Sequence, residues 1–204
     1  MKRTFIVVAL IAALIAPIWA QTSGTTPDGI EWNVPYPNAP TRVIWIEGYS
    51  GTATTLRIPE RINDIPVVEI VDGFTGNTRI TSVVIPNTVT KMWPQAFMNC
   101  VNLTSVTLGT GLTEIGARAF SGCTKLTSIT LPASIRAIAG GAFSGCSALT
   151  TINIPDSVRS ITFGFDTEGY FNSASRRSDN IFQGTKLNAA SQRRLVNLGY
   201  TGQF

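Results

Sequence analysis

The chain has no histidine. That absence removes His-based catalytic triads, His-ligated metal sites and the commonest general base. Charge is sparse as well: 14% of the 204 residues are charged, against 44% hydrophobic. This composition supplies one ordinary domain with a core and carries too little charge for a disordered tail. Basic clusters of the nucleic-acid type are missing, so no nucleic-acid partner is expected. Arg176-Arg177 and Arg193-Arg194 are local pairs and read as solvated surface charge. No glycine-rich phosphate loop with a following lysine occurs, and no cofactor is expected. The carboxylates are dispersed. A hydrolase is a remote alternative, and it needs a clustered acidic pocket around Asp166, Glu168 and Asp179.

Long hydrophobic runs are confined to the start. Met1-Lys2-Arg3 is positive, Phe5 to Ile15 is apolar, and Ile18-Trp19-Ala20 offers a small residue before Gln21. Residues 1–20 read as a secretory signal peptide, since the run is short for a membrane span and is broken by Pro17. Export follows as the expectation, to the medium, the cell surface or the periplasm, with no membrane span after cleavage. Without Lys2 and Arg3 there remain 14 basic and 12 acidic residues, a net of +2.

What the chain does have is a repeat. Ala119-Phe120-Ser121-Gly122-Cys123 recurs 23 residues later as Ala142-Phe143-Ser144-Gly145-Cys146. It occurs earlier as Ala96-Phe97-Met98-Asn99-Cys100 and more loosely as Gly73-Phe74-Thr75-Gly76-Asn77. A fixed period of this length marks a solenoid, in which each unit buries its apolar side only against its neighbours. Within one unit, Leu126-Thr-Ser-Ile129-Thr-Leu131 alternates and reads as a short strand, and Pro132 ends it. Ile135 and Ile138 then turn inward on an irregular or short helical return. Positions 80/83/85, 103/106/108, 126/129/131 and 149/152/154 are all Ile, Val or Leu. Stacked about 4.8 Å apart, these columns become apolar ridges in a parallel sheet, and Phe74, Phe97, Phe120 and Phe143 become an aromatic spine.

This pattern resembles the BspA-type leucine-rich repeat over about residues 44–163. The leading segment is similar too: Ile46-Glu-Gly-Tyr49-Ser-Gly51, Leu56-Arg-Ile58-Pro59, then Ile65-Pro66-Val67-Val68-Glu-Ile70. Departures are Gly109 in place of the proline at 86, 132 and 155, Asn77 in place of cysteine, and Trp93-Pro94 in place of small residues. The resemblance implies a leucine-rich-repeat-like solenoid and a surface protein associated with adhesion to host proteins or cells. The expected organisation is a linker over 21–43, a β cap with a degenerate first repeat over 44–72 and repeats over 73–163. An insertion over 164–180 and a cap over 181–204 follow. Ile181-Phe182-Gln183-Gly184 echoes the Ala-Phe block. Leu187, Ala190, Leu195 and Leu198 lie at helical spacing with Gly199 as a stop, which predicts an amphipathic closing helix.

Candidate binding residues lie where the strands should face outward: Ser105, Thr107, Ser128, Thr130, Thr151 and Asn153. Ser and Thr suit any solvated strand face; the functional reading is an uncharged surface that hydrogen-bonds a protein partner. Trp93 is either a binding anchor or the cover of a cap boundary. Tyr170 and Phe171, in the insertion with Arg176 and Arg177, are further candidates. Cys100, Cys123 and Cys146 fall in one repeat column and read first as buried apolar fillers, with a bridge between stacked neighbours open on distance. The expected protein is a non-enzymatic binding module for a host matrix or envelope protein. The alternative is a periplasmic accessory protein.

Overall fold

The computed structural model describes residues 21–158, 160–161, 181–197 and 200. The expected signal peptide (1–20), the expected insertion (164–180) with Tyr170 and Phe171, and Leu198 and Gly199 lie outside the described residues. The chain coils as a β-solenoid whose successive turns are offset by 23 residues. One face of each coil is a three-residue strand: β7 (Ser82–Val84), β9 (Ser105–Thr107), β11 (Ser128–Thr130) and β13 (Thr151–Asn153). Their central Val83, Ile129 and Ile152 point into the core and the flanking hydroxyls point out, as period-two alternation requires. β4 (Thr55–Arg57) starts this face and pairs in parallel with β7.

The return is not helical. After the proline or glycine corner it holds a two-residue strand: β8 (Lys91–Met92), β10 (Glu114–Ile115), β12 (Ala137–Ile138) and β14 (Ser160–Ile161). Met92, Ile115, Ile138 and Ile161 align in parallel register and extend a second sheet. Two residues carry no periodicity that would mark them as a strand. They pair because the neighbouring coil presents the same two residues one spacing away.

The Ala-Phe turns form the third side. Phe97 N–H donates to Ala119 O at 2.8 Å, Phe120 to Ala142 O at 2.8 Å, and Phe143 to Ile181 O at 2.9 Å. Gly122 and Gly145 sit in these turns at positive φ, both 73°, and their own amides point along the stack. Those amides donate to Ser144 O and Gln183 O at 2.7 Å. Inside, Phe74, Phe97, Phe120, Phe143 and Phe182 stack with centroids 4.8–5.7 Å apart, all fully buried. Phe182 thus supplies the fifth ring, and Ile181–Gly184 is a fifth Ala-Phe turn.

The cysteine column is a thiol ladder. Cys100, Cys123 and Cys146 are free and buried, and each Sγ–H donates to the carbonyl of Phe74, Phe97 or Phe120 at 3.1–3.2 Å. Burial pushes Cys100 up to about 11 and Cys146 up to about 12. Cys123 is raised too, by burial first and then by its two neighbours.

Both ends of the stack are covered. Residues 21–43 are not a linker. They carry β1 (Ser23–Thr25) and β2 (Ile30–Asn33), which extend the second sheet, β2 antiparallel to β3 (Ile44–Tyr49) and β1 antiparallel to β2. Ile30, Trp32 and Val34 alternate inward there and lid the first coil. β3 pairs in parallel with β6 (Ile65–Ile70), and β5 (Arg61–Ile62) closes a hairpin on β6 through Asn63 and Asp64, both at positive φ. At the far end α1 (Ala189–Asn197) starts at Asn188, whose Oδ1 accepts from Ser191 N–H at 2.9 Å. Leu187 and Leu195 are buried as expected. Ala190 is exposed, and Ser191 takes the inner position. The reason is polar: Ser191 Oγ accepts from Ile152 N–H and donates to Ile152 O, both at 3.3 Å. It stands in for the next strand at the open edge of β13.

Candidate functional site

The repeat register brings the outward positions into two columns on the strand face. Ser82 aligns with Ser105 and Val84 with Thr107; Ser128 aligns with Thr151 and Thr130 with Asn153. Ser105, Thr107, Ser128, Thr130, Thr151 and Asn153 are all exposed, while Ser82 and Val84 are half-buried. Thr151 Oγ1 accepts from Asn188 Nδ2 of the cap at 3.3 Å, which bounds the face at its C-terminal end.

The face is not continuous. β4, β7 and β9 form one sheet, β11 and β13 another, and no strand pairing joins β9 to β11. Bonds that recur at the other junctions are absent here. Thr104 N–H reaches Thr81 O and Thr150 N–H reaches Thr127 O, but Thr127 N–H has no such bond to Thr104 O. Ile58, Ile85 and Leu131 N–H reach the next coil at Val84, Thr107 and Asn153 O, but Leu108 N–H does not reach Thr130 O. A cavity of about 350 Å³ opens at this junction, lined from both strands by Ser105, Thr107, Ser128 and Thr130, with Val106 and Leu108 among its apolar residues. Val106 and Leu108 are half-buried, whereas Val83, Ile85, Ile129, Leu131, Ile152 and Ile154 are buried.

The corner after β9 departs from the other units and packs closely on the preceding coil. Gly109 stands where other units have proline, and a Cβ on it would lie 2.2 Å from Pro86 O; one on Gly111 would lie 2.0 Å from Asn87 O. Asn87 Oδ1 accepts from Thr110 N–H at 2.9 Å and from its hydroxyl at 3.1 Å. These contacts seat the corner on the preceding coil. The departure at Gly109 is legible in the sequence; the seating of the corner is not.

Trp93 belongs to the other sheet and does not join the strand face. Its half-buried ring lies 5.1 Å from Trp45, which meets Tyr36 edge-on at 6.0 Å. Its indole N–H donates to Glu69, and Lys91 Nζ lies 5.0 Å from the ring centre. Trp93 thus lies beside cap residues, Trp45 of β3 and Glu69 of β6, at the first repeat strand of this sheet. Trp45 and Tyr36 were not among the expected residues, although the alternation Ile44-Trp45-Ile46 points Trp45 outward on the same rows.

Among the described residues, no group of three or more Cys, Asp or Glu is placed to hold a metal ion. No helix there is long and apolar enough to cross a membrane. Asp166, Glu168 and Asp179 lie outside the described residues.

Residues 69–166 match the family model described as a BspA-type leucine-rich repeat region, in six copies. No curated protein matches the chain. Among solved structures, it is similar to a leucine-rich cell surface protein from Faecalibacterium prausnitzii. Identity is 27%, the TM-score is 0.51, and the match covers 69% of this chain and 44% of that one. A leucine-rich repeat protein from Bacteroides ovatus is 26% identical with a TM-score of 0.55, over 66% of this chain and 42% of that one. One from Bacteroides capillosus shares the fold at 23% identity and a TM-score of 0.58, over 65% of this chain and 98% of that one. The match thus spans less than half the length of the first two. With a 23-residue coil, a stacked phenylalanine core and this family match in one place, residues 69–166 are a BspA-type leucine-rich repeat region.

Proposed function

We propose that this chain is an exported, non-enzymatic repeat protein that binds a protein partner along the strand face of its coils. The observation that carries this reading is the set of exposed, uncharged outward positions on β9, β11 and β13, with β11 and β13 paired in register. Hydroxyl and amide side chains there hydrogen-bond a partner at several points, and each coil adds a modest contribution to one interface. The Faecalibacterium prausnitzii protein is a cell surface protein, which supports a surface role for a chain with an apparent export segment. The partner class is a host matrix protein or an envelope protein.

The test is capture from host matrix preparations and from envelope extract, using the full chain after export. Joint replacement of Thr107, Thr130 and Asn153 by charged residues is expected to abolish capture and leave the melting temperature near wild type. Capture that survives the triple variant assigns binding to another surface. Protease accessibility on intact cells separates surface display from a periplasmic location.

A further inference from the structure

We infer that the break between β9 and β11 is a binding cleft for an uncharged carboxamide side chain, Asn or Gln, presented by a loop of the protein partner. This inference rests on the strand-face reading and narrows it to one junction. Three observations carry it. First, the missing ladder leaves N–H groups of Leu108 and Thr127 and carbonyls of Thr104 and Thr130 without the inter-coil partners their counterparts have. Second, a cavity of about 350 Å³ lies at that place and holds residues of both strands. Third, no charged and no aromatic residue lines it.

These features select the ligand chemistry. Leu108, whose N–H lacks its inter-coil partner, and Thr104 and Thr130, whose carbonyls lack theirs, all line the cavity, so an occupant with an acceptor and a donor together suits it. A carboxamide has both in one plane, a carboxylate offers only acceptors, and an ammonium offers only donors. An inserted main-chain strand needs about 9.6 Å, twice the inter-strand spacing of ~4.8 Å. The Cα atoms of β9 and β11 approach within 8 Å, which leaves no room for a strand. A sugar would lack an aromatic platform to stack on. Val106 and Leu108 offer the methylene stem of the side chain an apolar contact. Exclusion of charge follows from the cost of desolvating an ion without a counter-charge.

The experiment is amide NMR on the full chain after export, with acetyl-Gly-Asn-Gly-dimethylamide as probe and acetyl-Gly-Asp-Gly-dimethylamide and glucose as comparators. In the free protein, the amides of Leu108 and Thr127 are expected to exchange with solvent at least about tenfold faster than those of Ile85, Leu131, Thr104 and Thr150. The Asn probe should give saturable shifts at residues 104–108 and 127–130, slow that exchange, and leave 81–85 and 150–154 unmoved. The Asp probe should bind at least about tenfold more weakly. Exchange at Leu108 and Thr127 as slow as at their counterparts would show a closed ladder and end the proposal. So would an absent or non-saturable response to the Asn probe, or an equal response to the Asp probe or the sugar. A failed titration beside intact capture in the matrix or envelope assay sinks this inference alone; loss of both sinks the strand-face reading.

Discussion

Replacing Phe120 by alanine removes the middle ring of the spine. Phe120 is fully buried and lies 5.7 Å from Phe97 and 5.6 Å from Phe143, tilted from them by 6° and 8°. Truncating a buried phenylalanine costs about 3–5 kcal/mol, against a typical domain stability of about 5–15 kcal/mol. Phe74 sits at the end of the described ring stack with one ring neighbour, Phe97 at 4.8 Å. Phe74→Ala should therefore be milder by roughly one aromatic pair, about 0.5–1.5 kcal/mol. Urea unfolding measures both. It carries a second readout, because Trp32, Trp45 and Trp93 all lie on the N-terminal side of Phe120. Circular dichroism reports all coils, and tryptophan fluorescence reports those before the substitution. In a nearest-neighbour stack, Phe120→Ala weakens coupling between the two halves, so the two transitions should separate while those of the wild type coincide. A loss below about 1 kcal/mol with coincident transitions would refute the claim that the rings couple the coils.

The thiol ladder should be inert. Native protein at pH 8 is expected to react slowly with a disulfide reagent and to titrate three thiols once unfolded; rapid native reaction would overturn the ladder. The folded thiols hold their protons above the ordinary value of 9.0, with Cys100 at about 11 and Cys146 at about 12. Their stabilising contribution is therefore full below pH 9. It falls as pH rises toward 11–12, where the unfolded chain has lost the protons that the folded chain keeps. Alkaline urea titrations against a triple Cys→Ala variant measure this slope, which should be smaller in the variant. Ser191→Ala strips the edge strand of its two bonds at Ile152. It should cost about 1–3 kcal/mol and speed amide exchange at Ile152 before any other core strand; unchanged exchange there would remove the proposed role of α1 as a strand surrogate.

Much of this architecture is legible in the sequence because the contact map and the repeat are the same object. Residues 23 apart touch, so Phe97, Phe120 and Phe143, or Cys100, Cys123 and Cys146, announce their stacking by recurring. Outward positions such as Thr107 and Thr130 follow from the two-residue period around a buried neighbour. Where a feature depends on a single copy or on too few residues, that logic fails. The strands Lys91–Met92 and Glu114–Ile115 are too short to show a pattern and exist only because the next coil lies beside them. Residues 21–43 look like a linker until β2 finds β3 and buries Trp32. Ser191 outranks Ala190 as the inward residue of the closing helix because the edge of β13 needs a hydrogen-bonding group.

The candidate site divides in the same way. Sequence alone determined which side chains face outward, that they carry no charge, and that the coils stack. Tertiary structure decided that Trp93 meets Trp45 on the other sheet, and that the strand face opens between β9 and β11. The physical reason is that both depend on how particular coils pack, as the Gly109–Gly111 corner packs against Pro86 and Asn87. Such close backbone approaches are set by the packing of two particular coils, and no period in the residues encodes them.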